Sequence, residues 1–123
     1  MDCWKLPLLL PHPLSYIAQK TLMREYRRDE KRPRDQADCV YVAWGFQPTW
    51  PGWAPQWTAL TAQPGQHRWL TNCRTTWLEL YQHGDAVGSR EVELVYSQLG
   101  GTTLAATLAA RIMNDFIRTM PAA

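Results

Sequence analysis

"TTWLELYQHGDAVGSREVELVYS", residues 75–97, decides the fold because it can be read in two ways. As a hairpin, strands at 75–82 and 90–97 flank a Gly-Asp…Gly loop, and Leu78 and Leu80 share a face with Val92, Leu94 and Tyr96. As a helix, "TTWLELYQHG" carries a Thr76-x-x-Glu79 capping box and a stop at Gly84. The partner run "REVELVYS" alternates cleanly, as a half-buried strand does, so the hairpin is the expectation.

The upstream neighbours support a sheet. "CVYVAWGF", 39–46, is rich in β-branched and aromatic residues, with Val40, Val42, Trp44 and Phe46 on one face. "QWTALTA", 56–62, reads as a short strand, "QPGQ", 63–66, as a tight connection, and "HRWLTNC", 67–73, as a further strand. Helical periods bracket this region. Leu14, Ile17, Ala18, Leu22 and Tyr26 form one stripe, with Pro13 suited to a first helical turn and Pro33 closing the segment. At the far end two glycines break the strand pattern, and Thr102 or Thr103 can cap a helix. In that helix Leu104, Leu108, Ile112, Phe116 and Met120 recur at four-residue spacing.

The expected architecture is α+β: an N-terminal helix, an antiparallel four- or five-stranded meander, and a C-terminal amphipathic helix packed on one sheet face. Residues 1–13 form an apolar, proline-rich arm, and residues 14–123 a single domain.

Composition narrows the function. The chain has 123 residues, 46% hydrophobic and 20% charged, which suits an ordinary globular core. A net charge of +2 is too small to argue for duplex DNA. Three cysteines are an odd count without close pairing, which points to reduced thiols and a cytoplasmic location. The N-terminal apolar run is cut by Pro7 and Pro11 and reads poorly as a signal peptide. No apolar run is long enough for a membrane span.

Chemical motifs are sparse. Cys73 with His67 or His83 is the one conceivable nucleophile–base pair. Glu79 and Glu93 would face each other across the hairpin as a solvated pair of carboxylates. The cysteines and histidines lack the close spacing of zinc ligands, so no metal site and no cofactor are expected. "QLGGTTLAA" places glycines before a helix but lacks the lysine of a nucleotide loop, and reads as a structural turn.

"WGFQPTWPGWAPQW", 44–57, holds four tryptophans and three prolines and reads as a turn-rich loop. Trp50, Trp53 and Trp57 in that loop, with Trp77 and Tyr81 on the sheet face opposite Leu78 and Leu80, are the expected recognition surface. Trp44 is assigned to the core. The mixed-charge run "RRDEKRPRD", 27–35, is a solvated connector that supplies Arg27, Arg28 and Arg32 as rim charges. The functional expectation is a non-catalytic module that binds another protein, as adaptor, inhibitor or assembly accessory, and that forms a homodimer through its surplus apolar surface. One alternative is a single-stranded nucleic-acid binder stacking bases on the same rings. A second is a small enzyme using Cys73.

Overall fold

Residues 75–97 are helical on both sides of a short turn. In the structure, a computed structural model that describes residues 12–98 and 105–122, the elements are α1 (His12–Leu22), α2 (Arg32–Gly45), α3 (Trp50–Thr61), α4 (Pro64–Tyr81), α5 (Val87–Gln98) and α6 (Ala106–Thr119). Short 3-10 turns at Arg24–Tyr26, Asp29–Lys31 and Gln47–Thr49 join the first three. Among the described residues there is no strand. The α+β meander is therefore overturned, and the described chain is an all-helical bundle.

Three-and-four spacing explains each reassigned segment. In α2 the buried residues Gln36, Cys39, Val40 and Ala43 recur at helical intervals, while Tyr41 and Trp44 point outward. The strand face Val40–Val42–Trp44–Phe46 does not exist. Branched side chains lower helix propensity only slightly, and tertiary packing overrides that preference. Pro33, expected to close a segment, instead occupies the first turn of α2, where its missing N–H has no intrahelical partner to lose.

The proline-rich stretch is also helical. Trp50, Trp53, Trp57, Leu60 and Thr61 make the buried stripe of α3, and Pro51 lies in its first turn. Pro55 lies inside the helix, where it removes one hydrogen bond and crowds the carbonyl four residues back, at a cost of about 3 kcal/mol. Burial of three indoles outweighs that cost, at about 2 kcal/mol or more for each large side chain. In α4, Leu70, Cys73, Trp77, Leu80 and Tyr81 form the buried stripe. The segments 56–62, 67–73 and 75–82 are thus turns of α3 and α4 rather than strands, and α4 starts at Pro64 instead of a cap at Thr76. Thr76 donates its hydroxyl to the Asn72 carbonyl, one turn back.

α5 packs most extensively on α2, and α6 lies against α2, α4 and α5. Gly88 permits the crossing of α5 and α4: a Cβ there would sit 2.8 Å from the Leu80 carbonyl oxygen. α6 lacks a capping side chain of its own, and Glu93 of α5 accepts the Ala106 N–H at 2.8 Å. The carboxylate also complements the positive end of the helix dipole. The connector 27–35 is ordered by charge. Asp35, nearly buried at the start of α2, accepts from Arg27 Nε at 2.7 Å and lies 3.5 Å from Lys20 Nζ of α1. The expected N-terminal arm lies outside the described residues apart from positions 12 and 13, which open α1. The glycine turn before α6 and its threonine caps also lie outside them.

Candidate functional site

The five rings expected in the proline loop and on the open sheet face are the centre of the bundle. Trp57, Trp77 and Tyr81 are 0% exposed, and Trp50 and Trp53 are 5% exposed. Three of them gather around Phe116 of α6. Trp77 and Trp50 meet its ring edge-on at centroid distances of 5.1 and 5.5 Å, and Trp53 does so at 6.4 Å. Trp57 lies 5.4 Å from Trp77, tilted by 31°. Such edge-to-face and offset pairs suit the ring quadrupoles.

Four of their polar ends are satisfied internally. Trp50 Nε1–H donates to the Ala43 carbonyl at 2.9 Å, Trp57 Nε1–H to the Pro121 carbonyl at 3.1 Å, and Trp77 Nε1–H to Thr21 Oγ1 at 2.6 Å. Tyr81 Oη–H donates to Gln36 Oε1 at 2.5 Å. A recognition surface built on these rings is corrected accordingly: α3 and α4 turn them into the bundle, and among the described residues there is no sheet to leave a face open.

Nor do the arginines form a rim around them. Arg27 is committed to Asp35. Arg32 donates Nε–H to the Arg24 carbonyl at 3.0 Å and pairs with Asp29 at the same distance. Arg28 is exposed between the two 3-10 turns.

The cysteine alternative loses its nucleophile. Cys39 and Cys73 are both buried, and burial pushes each thiol well above its ordinary range. Catalysis by sulfur requires the thiolate. Cys73 Sγ faces α1, 3.9 Å from the Ala18 carbonyl, whereas His67 Nδ1 is 2.8 Å from the Thr61 carbonyl at the end of α3. Glu93 caps α6 and Glu79 stands exposed on α4, so the expected facing pair of carboxylates is absent. Among the described residues no group of three or more His, Cys, Asp or Glu side chains could hold a metal ion, and no helix is long and apolar enough to cross a membrane.

Two surface features stand out, and the strand assignments hid the first. The first is aromatic. Tyr41 and Trp44, one turn apart on α2, are 63% and 49% exposed, and Phe46 just beyond the helix is 43% exposed. Phe46 keeps a tilted contact with Trp53 at 6.2 Å, which anchors the patch to the core. Tyr96 of α5 borders it. Burial raises the Tyr96 phenol above its ordinary range, with smaller contributions from Tyr41 and Asp38 nearby. A helical projection of 36–46 would have found this patch, since Tyr41 and Trp44 fall opposite Gln36, Cys39 and Ala43.

The second feature is a cleft of about 550 Å³ between the turn that follows α1 and the outer side of α4. Thr21, Leu22, Met23, Arg24, Glu25, Tyr26 and Arg32 form one side, and Trp69, Asn72 and Thr76 the other. Arg24 Nη2 is 2.8 Å from Glu91 Oε1 of α5, and both side chains are largely buried. Burial raises the Glu91 carboxyl above its ordinary range, and Arg24 opposes that shift. No family model, curated protein or solved structure matches this chain.

Proposed function

We propose that the protein is a non-catalytic module that docks another protein on the aromatic end of α2. The supporting observation is the exposure of Tyr41, Trp44 and Phe46 at the end of α2, beside a core that buries Trp50, Trp53 and Trp77 around Phe116. Tyrosine and tryptophan dominate interface hot spots because each brings large apolar area with few rotatable bonds. Asp38 and Arg34, paired at 3.6 Å along α2, give the patch a polar border. Nucleic acid is the weaker reading. Arg24, Arg27, Arg32, Arg34 and Arg118 each have a carboxylate partner, while nucleic-acid affinity comes largely from cations free to meet phosphate.

The test places a benzophenone amino acid at position 44, with position 79 on α4 as control. Irradiation in host lysate is expected to give one discrete adduct from position 44 only, lost when Tyr41 and Phe46 are both changed to serine. Its partner, identified by mass and purified, should form the same adduct. Irradiation of the purified protein alone separates a second copy of this chain from a different partner. Circular dichroism is expected to be unchanged by the serines, since exposed positions shift stability by only about 0.5 kcal/mol. Equal labelling from 44 and 79, or none from 44, would contradict the proposal.

A further inference from the structure

Arg24 Nη1, Gln36 Nε2, Ser89 Oγ and Glu91 Oε1 are buried without a hydrogen-bond partner among the described residues, and all four belong to groups around Tyr81. Gln36 of α2 accepts the Tyr81 hydroxyl through its Oε1, which leaves its Nε2 unbonded. A Cβ on Gly88 would lie 3.0 Å from Tyr81 Cε1, so the start of α5 rests on that ring, and Ser89 is the next residue. Burial raises the Tyr81 phenol above its ordinary range, Cys39 and Glu91 add to the shift, and Arg24 opposes it, so these groups share its surroundings. Glu91 Oε1 lies 2.8 Å from Arg24 Nη2 as an ion pair, without an aligned hydrogen bond.

The Arg24 and Gln36 nitrogens can only donate, the ionised Glu91 oxygen can only accept, and the Ser89 hydroxyl can do both. Each is costly to leave buried and unpaired. Donors and acceptors that are held in one region without bonding one another are spaced for a bridge. The character of the bridging group follows. Arg24 and Glu91 cancel in charge, and Gln36 and Ser89 carry none, so the region suits a neutral occupant. It must accept from nitrogen and donate to oxygen. It must also be small, because Gln36 and Ser89 are 1% and 0% exposed. Water meets all three conditions, with two hydrogens and two lone pairs, and a buried water makes about three such bonds.

We propose that a buried water sits between the turn after α1 and helices α2 and α5, accepting from Arg24 Nη1–H and Gln36 Nε2–H and donating to Glu91 Oε1 and Ser89 Oγ. It ties together three elements that meet the Tyr81 end of α4. The site is separate from the aromatic end of α2 and does not depend on the protein-docking reading.

A crystal structure of the full chain tests it directly. A single density peak is expected within about 3.2 Å of Arg24 Nη1 and of at least two of the other three atoms. No peak there, or Arg24 Nη1 bonded directly to Gln36, Ser89 or Glu91 in its place, would overturn the proposal. In solution, magnetic relaxation dispersion of the water oxygen counts long-lived internal waters without interference from exchanging hydroxyl protons. Ser89→Val replaces the hydroxyl with two carbons that fill the space, and is expected to lower that count by about one relative to the parent chain. An unchanged count in a folded Ser89→Val chain would also overturn the proposal. The crystal result decides the matter whether or not that variant folds.

Discussion

Trp77→Ala is expected to lower stability to urea by about 3–5 kcal/mol, the largest loss of any single truncation considered. The ring is fully buried, lies 5.1 Å from Phe116 and 5.4 Å from Trp57, and donates to Thr21. Removing it opens a cavity beside Trp57 of α3, Phe116 of α6 and Thr21 of α1, which three different helices hold apart. The hydrogen bond is lost as well, although Thr21 keeps its own bond to the Ile17 carbonyl at 2.8 Å. Domains of this size have a total stability of about 5–15 kcal/mol, so the variant would be marginal at best. Trp69→Ala is the comparison, because that ring is partly exposed and its loss should cost about 1 kcal/mol or less. Equal losses in the two variants would mean that Trp77 is not at the centre.

Gly88→Ala is expected to destabilise by about 1–3 kcal/mol, although alanine is the better helix former. The added carbon would lie 2.8 Å from both the Leu80 carbonyl oxygen and the Leu80 Cβ, and 3.0 Å from Tyr81 Cε1. None of these can step aside. The carbonyl is backbone within α4, and the Tyr81 ring is held by its bond to Gln36. α5 would have to lift from α4, opening the most extensive of the helix contacts, with α2, at the same time. Gly65→Ala, in the first turn of α4, meets nothing within 4 Å and should be neutral or stabilising by up to about 1 kcal/mol. Thermal melts of the two variants therefore should move in opposite directions. A rise in Tm for Gly88→Ala would contradict the described crossing of α4 and α5.

Which parts of this fold could be read in advance depends on what each residue pattern competes with. The stripe Leu14–Ile17–Ala18 has no competing period, and helix α1 lies there. The same is true of Ile112 and Phe116 in α6. Trp50, Trp53, Trp57 and Leu60 have an equally good helical spacing, but the prolines masked it. Two of them, Pro51 and Pro64, occupy first turns where the missing N–H costs nothing, and only Pro55 opposes the helix. "CVYV" and "REVELVYS" satisfy a two-residue period by accident. Both lie in helices whose opposite faces pack against each other, and that pairing is a tertiary fact. The aromatic site was misplaced for the same reason. A period of two sends Trp44 inward and Trp77 outward, and a period of 3.6 reverses both. The cleft was not legible, because the orientation of Arg24 and Arg32 depends on a 3-10 turn that no local pattern announces.

The central claim is that, among the described residues, the tryptophans divide into a dry cluster and two accessible rings, and indole N–H exchange with water, followed by NMR, measures this directly. The account expects slow exchange for the side chains of Trp50, Trp57 and Trp77, which donate to Ala43, Pro121 and Thr21, and fast exchange for Trp44 and Trp69. Protected Trp44 and Trp69 signals beside rapidly exchanging Trp57 and Trp77 would contradict it.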